Sequence, residues 1–210
     1  MVGLGNPGRE YLWTRHNVGF RVIETLTRRW DCPRGRRAFH GRLFKAAVGT
    51  AAQPVLLFQP HTFMNRSGAA VQELKAFYKT DGPDVLVILD DMALPLGQLR
   101  LRCGGSAGGH NGLADVLAAL GTQDLPRLRI GIDAAPAGMD PADYVLRPFE
   151  AGQEKTIEQA IEQAAQAVED WVLQGSEYAM GKYNRKADER EDRRDGPGTA
   201  ARSGQGSDGR

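Results

Sequence analysis

Asp84-Val85-Leu86-Val87-Ile88-Leu89-Asp90-Asp91 decides the fold. Five apolar residues run without a polar break, and two carboxylates close them. A strand with one face in water would alternate, whereas an unbroken run marks a central strand of a parallel sheet, covered on both faces. Asp90 and Asp91 then stand at its C-terminal end. Working outward, Met1–Gly5 reads as a short buried strand. Gly41–Val48 and Pro54–Phe58 read as strands joined by a turn around Gly49–Gln53. Gln98–Arg102 and Arg127–Ile132 follow on the other side.

Helical spacing fills the intervals. Val18, Val22, Leu26 and Trp30 form a stripe over Asn17–Trp30, with Arg21, Arg28 and Arg29 opposite. Ser67 is a candidate N-cap for a helix reaching Lys79. Asn111–Leu120 is closed by Gly121. Glu154–Gln174 carries Ile157, Ile161, Ala164, Val168 and Trp171 on one stripe. Strands alternating with helices predict a single-domain α/β protein, with a mixed, mostly parallel twisted sheet flanked by helices. The domain spans residues 1–184. Residues 185–210 are charged and then Gly/Ser-rich, the composition of a disordered tail. Arg34–Arg37 reads as a basic loop. Asp133–Phe149 reads as a loop suited to a mobile cover.

The chain has 210 residues and a net charge of +1, so no bulk field selects nucleic acid. The charge is uneven. Residues 1–45 hold ten Lys/Arg against three Asp/Glu, and residues 140–180 hold two against nine. That pattern fits a local phosphate-binding face and fits ordinary solvated surface equally well. Cys32 and Cys103 are far apart, which gives neither a disulfide scaffold nor a zinc site. No apolar run reaches the roughly 18 residues of a membrane span, and the start does not read as a signal peptide. A cytoplasmic location is expected.

Two glycine motifs are ambiguous. Gly3-Leu4-Gly5-Asn6-Pro7-Gly8 matches G-x-G-x-x-G, but its helix begins some nine residues late and Arg28-Arg29 stands where a ribose-binding acid belongs. Gly104-Gly105-Ser106-Ala107-Gly108 matches G-x-S-x-G, but a nucleophile elbow needs its helix at once, and this one starts near Asn111. A dinucleotide enzyme predicts nicotinamide binding, and a serine esterase predicts loss of activity on Ser106→Ala. His16 lies in the strand-to-helix stretch Asn6–Asn17, where a general base fits, as does a local helix-terminal hydrogen bond. Asn6, Asn65 and Asn111 offer donor and acceptor without titrating; each also fits a cap or a turn.

The ordered set Gly3–Gly8, Tyr11, Thr14-Arg15-His16-Asn17, Thr62-Phe63-Met64-Asn65-Arg66-Ser67-Gly68, Asp90, Gly108-Gly109-His110-Asn111-Gly112-Leu113 and Arg127–Ile132 resembles the bacterial peptidyl-tRNA hydrolase family over about residues 1–183. The resemblance implies a monomeric α/β enzyme, without metal or cofactor. It would hydrolyse the ester between peptide and tRNA and recycle tRNA from aborted translation. His16 is then the general base and Asp90 the acid that orients it. Asn6 and Asn65 bind the peptide and ester region, with Met64 beside them either lining the site or belonging to the core. Asn111 helps position the water. Tyr11 and His110 line the site near the terminal nucleotide. Arg102 and Arg129 match the clamp on the tRNA 5′-phosphate. The sequence departs from the family in three places. Its start is shorter, implying a clipped first strand. Ala93 stands where many members carry an acid, which favours Asp90 over Asp91 as the partner. Arg102 replaces a commoner Lys. A non-enzymatic RNA-binding relative would bind tRNA without cleaving it.

Overall fold

In the computed structural model, which describes residues 1–50 and 52–184, the decisive stretch forms a strand, Val87–Asp91, buried at every position. Successive side chains in a strand point to opposite faces. Leu86 and Ile88 accordingly enter one core cluster, and Val87 and Leu89 enter another. Two cores share one strand, which is why its sequence has no polar break. The expected tail, residues 185–210, lies outside the described residues.

Seven strands make one sheet: β1 (Val2–Gly3), β2 (Arg36–Ala38), β3 (Gly41–Val48), β4 (Gln53–Pro60), β5 (Val87–Asp91), β6 (Leu99–Arg102) and β7 (Arg127–Gly131). Their order is β2-β3-β4-β1-β5-β7-β6. The mixed α/β sheet is the expected one, with a smaller parallel share. The β4–β1, β1–β5 and β5–β7 ladders are parallel, whereas β2–β3, β3–β4 and β6–β7 are antiparallel. Short connections from β2 to β4 force antiparallel neighbours, while parallel neighbours need a crossover. The basic loop at Arg34–Arg37 contributes Arg36 and Arg37 to edge strand β2.

Helices cover both faces. α1 (Val18–Arg29), α5 (Ala151–Gln174) and α6 (Ser176–Tyr183) supply the first core, and α2 (Ser67–Tyr78) and α3 (Asn111–Leu120) the second. Several ends differ from the sequence reading for local reasons. α1 starts at Val18 because Arg15–Asn17 closes a 3₁₀ turn first. Ser67 is the first residue of α2 rather than its cap, and its hydroxyl donates to the Met64 carbonyl at 2.9 Å. α5 starts earlier, on a capping box formed by Glu150 and Gln153. The expected cover at 133–149 contains α4 (Pro141–Val145) and is pinned down. Tyr144, Val145 and Phe149 are buried, and the Tyr144 hydroxyl donates to the Ile132 carbonyl at 2.7 Å. No helix among the described residues is long and apolar enough to cross a membrane.

The first glycine motif has a packing explanation. A Cβ on Gly19 would collide with the carbonyl oxygens of Ile88 and Leu4, the latter at 2.5 Å, and a Cβ on Gly3 would strike the Gly19 carbonyl. The backbone of α1 therefore rides directly on β1 and β5, which sets where the turn holding His16 lands. Gly19→Ala forces these backbones apart and is expected to destabilise the protein by about 2–4 kcal/mol. Urea denaturation measures this; a midpoint equal to wild type would show that the helix shifts without cost.

Candidate active site

The parallel strands deliver their C-terminal ends to one edge of the sheet, where open α/β sheets bind ligands. The loop after β1 carries Asn6 and His16, the loop after β4 carries Met64 and Asn65, and Asp90 is the penultimate residue of β5. His16 lies 11 residues beyond Gly5 along the chain, yet the 3₁₀ turn places its Nδ1 2.8 Å and 3.0 Å from the two Asp90 carboxylate oxygens. Asp90 is 3 % exposed and His16 8 %. A carboxylate only accepts hydrogen bonds, so His16 Nδ1 carries the proton and Nε2 keeps its lone pair. Burial alone would raise the Asp90 carboxyl, but His16 and then His110 opposite it hold it well below the usual carboxylate range.

His110 reaches Asp90 from the other layer. Its Nε2 lies 3.1 Å from Asp90 Oδ1, and its ring centroid is 4.8 Å from that of His16. It is the N-cap of α3, with Nδ1 accepting the Leu113 amide at 3.1 Å. His16, Asp90 and His110 bring three donor atoms within 4.8 Å, a spacing that suits a cation. The Leu113 amide nonetheless requires a lone pair on His110 Nδ1. The neutral ring then carries its hydrogen on Nε2, which has no lone pair for a metal while the cap is made. The trio fits a hydrogen-bonded charge relay of positions better than a ligand set.

Asn6 is buried and tied to two segments. Its side-chain oxygen accepts the Met64 amide at 2.8 Å. Its backbone is clasped by Asn17, whose Oδ1 accepts the Asn6 amide at 2.8 Å and whose Nδ2 donates to the Asn6 carbonyl at 3.0 Å. Asn17 is the residue the sequence reading missed: next to His16 at a helix start, it looked like an ordinary terminus. Met64 is buried in the second core, its sulfur against Gly112. Asn65 and Asn111 are exposed on the rim, and Tyr11 is half-buried on the turn Arg9–Tyr11.

The arginines divide by task. Arg100 faces Arg129 and Arg102 faces Arg127 across the β6–β7 ladder, so all four stand on one sheet face. Arg129 pairs with Asp91, and Arg102 is exposed. Arg127 is buried and structural: it donates to the carbonyls of Leu125, Gln123, Gly105 and Ser106, which shapes the glycine-rich loop. Ser106 is exposed in that loop, and the helix starts only at Asn111, so the nucleophile-elbow geometry is not met. Beside His16, the buried Arg15 donates to the Pro148 carbonyl at 2.6 Å and the Gln153 side chain at 2.9 Å, and it lies over the Tyr144 ring at 4.2 Å. A cleft of about 1060 Å³ lined by Met1, Val55, Leu74, Val85 and Trp171 sits at the N-terminal ends of the parallel strands. It contains none of the charged pairs above.

A buried carboxylate lies against an imidazole at the carboxyl edge of a mixed α/β sheet, and the fold and site are those of a hydrolase built on such a sheet. The family model of peptidyl-tRNA hydrolase matches residues 1–191, and the chain belongs to that family. It is 44 % identical over 184 residues to a peptidyl-tRNA hydrolase of Bacillus cytotoxicus, covering 88 % of this chain and 98 % of the relative. A peptidyl-tRNA hydrolase of Desulfitobacterium hafniense is 43 % identical over 185 residues, with 88 % and 98 % covered. The crystal structure of the Acinetobacter baumannii peptidyl-tRNA hydrolase superposes with a TM-score of 0.80 at 33 % identity, covering 87 % of this chain and 92 % of that one.

Two outcomes follow from these bonds. Asn17→Ala leaves the buried Asn6 amide and carbonyl without their partner and should cost about 1–3 kcal/mol, read by thermal or urea unfolding. An unchanged stability would show the clasp to be dispensable. Asp90 is held lower in the folded chain than in the unfolded one. Its ionised form therefore stabilises the fold above the ordinary carboxylate pKa, and that contribution is lost as pH falls through the lower folded value. Unfolding of Asp90→Asn, followed from pH 6 downward, should be less pH-dependent than wild type; an identical dependence would contradict the assignment.

Proposed function

We propose that this chain hydrolyses the ester between a peptide and the 3′ ribose of tRNA, acting as a monomer in the cytoplasm, with His16 as general base. The pairing of His16 Nδ1 with the buried Asp90 carboxylate is the observation that carries this reading. Nε2 takes a proton from water, and the resulting hydroxide attacks the ester carbonyl. Asp90 stabilises the imidazolium, which returns its proton to the leaving ribose oxygen. One water is consumed, giving a free acid and a free tRNA hydroxyl. An ester leaving group needs no further activation, so base catalysis worth roughly 10²–10⁴-fold suits the task.

Asn6 is oriented by the Met64 amide on its Oδ1, which turns Nδ2 into the group that can donate to the peptide or ester oxygen. Asn65 and Asn111 on the rim would hold the peptide and the water, and Tyr11 would meet the terminal base. The 5′-phosphate would lie on Arg102 and Arg129. The β5–β7–β6 register supports this: Arg102 lies opposite Arg127, which lies opposite Val87, three residues before Asp90 and two strands across. At ordinary strand spacings that is roughly 14 Å from Asp90. Asp91 beside Arg129 fixes that guanidinium before any phosphate arrives.

Release of tRNA from an N-acetylated aminoacyl-tRNA, with free aminoacyl-tRNA as control, tests the assignment. Wild type should cleave the blocked substrate and spare the free one, and His16→Ala should lose about 10²-fold or more in kcat with its fold intact. A folded wild type that binds tRNA without cleaving it would overturn the reading in favour of a binding protein.

A further inference from the structure

Resting on the hydrolase reading for its kinetic arm, we propose that His110 is a positioning residue for the base: its Nε2–H donates to Asp90, and the first turn of α3 locks it in that tautomer. The lock is geometric. The Leu113 amide, 3.1 Å from Nδ1, can only donate, so Nδ1 must accept and the ring hydrogen must sit on Nε2, facing Asp90 Oδ1 at 3.1 Å. A proton added at Nδ1 would face the Leu113 amide donor to donor. The Ala114 amide meanwhile donates to the His110 carbonyl, which fixes the backbone of the cap.

Asp90 then accepts from two imidazoles, and its charge is divided between them. Its pull on His16 is weaker than it would be with a single donor, so the imidazolium formed during turnover is stabilised less and returns its proton more readily. The other charged groups nearby are already engaged. Asp91, at the end of β5, is paired with Arg129 of β7. Arg15, from the turn of His16, is directed to Pro148 and Gln153. Asp115, one turn into α3, accepts the Gly68 amide. His110 is thus the group positioned to tune the His16–Asp90 pair.

The two ring nitrogens can be replaced one at a time. Asn at position 110 offers an oxygen at the place of Nδ1, which keeps the cap but does not reach Asp90. Gln offers an amide N–H at the place of Nε2, which keeps the donor to Asp90 and gives up the cap. With wild-type full chain, nitrogen NMR of labelled histidines should show His110 as the Nε2–H tautomer, and its signal is assigned by its loss in His110→Asn. Finding the Nδ1–H form would overturn the proposal whether or not the protein cleaves peptidyl-tRNA. In kinetics, His110→Asn should move the acid limb of kcat/KM to higher pH by about one unit. His110→Gln should keep the limb where wild type has it while melting at a lower temperature. An unmoved limb in His110→Asn, with only KM raised, would overturn the proposal and make His110 a substrate contact instead.

Discussion

A carboxylate removed from water and faced by two imidazole rings is the interaction on which the rest of this structure depends. An isolated buried charge is costly, and Asp90 is tolerable only because His16 and His110 both face it. They come from opposite layers, one from the turn before α1 and one from the cap of α3. The carboxylate therefore sits where the two cores of the sandwich meet. Displacing either helix would lengthen one of these two bonds and leave the charge less well satisfied. The backbone-on-backbone contact of Gly19 against β1 and β5 controls that displacement on one side, and the Leu113 amide controls it on the other.

Around this pair the molecule separates rigid from adaptable parts. Asn6 is fixed through Asn17 and Met64, all of them buried, whereas Asn65 and Asn111 stand on the rim. The same division holds for the arginines. Arg127 is consumed in shaping the glycine-rich loop, so that Arg102 and Arg129 present charge on a face whose backbone is already set. For the reaction proposed above, base chemistry needs the first kind of group, and a large nucleic acid end would be better met by the second.

Much of the frame was legible because burial on two faces writes itself locally. The run at 85–89 and the stripe of α5 could be read from neighbouring residues alone. What the sequence hid depends on contacts between distant positions. Asn17 looked like a helix start, yet it clasps Asn6, and Asn6 in turn holds Met64, 58 residues away. His110 could be placed at the site by resemblance, but its bond to Asp90 and its capping of α3 are visible only when the β5 and α3 ends meet. The edge strand β2 and the short helices α4 and α6 escaped for another reason. Their stabilisation is tertiary, so their own spacing carries little signal. Both glycine motifs were ambiguous in the sequence; one is a helix seat and the other a loop knit by Arg127.

Arg15 ties the turn of His16 to a remote part of the chain. Its guanidinium reaches Pro148 and Gln153 and stacks on Tyr144, while the next residue is His16. The segment from 133 to 149 and the turn of His16 are therefore tied into one unit rather than a door and its frame. Local opening of that segment withdraws Arg15 and loosens His16 at the same moment. In such an arrangement a sub-global opening of the 133–149 segment disturbs the surroundings of His16 without requiring collapse of the sheet.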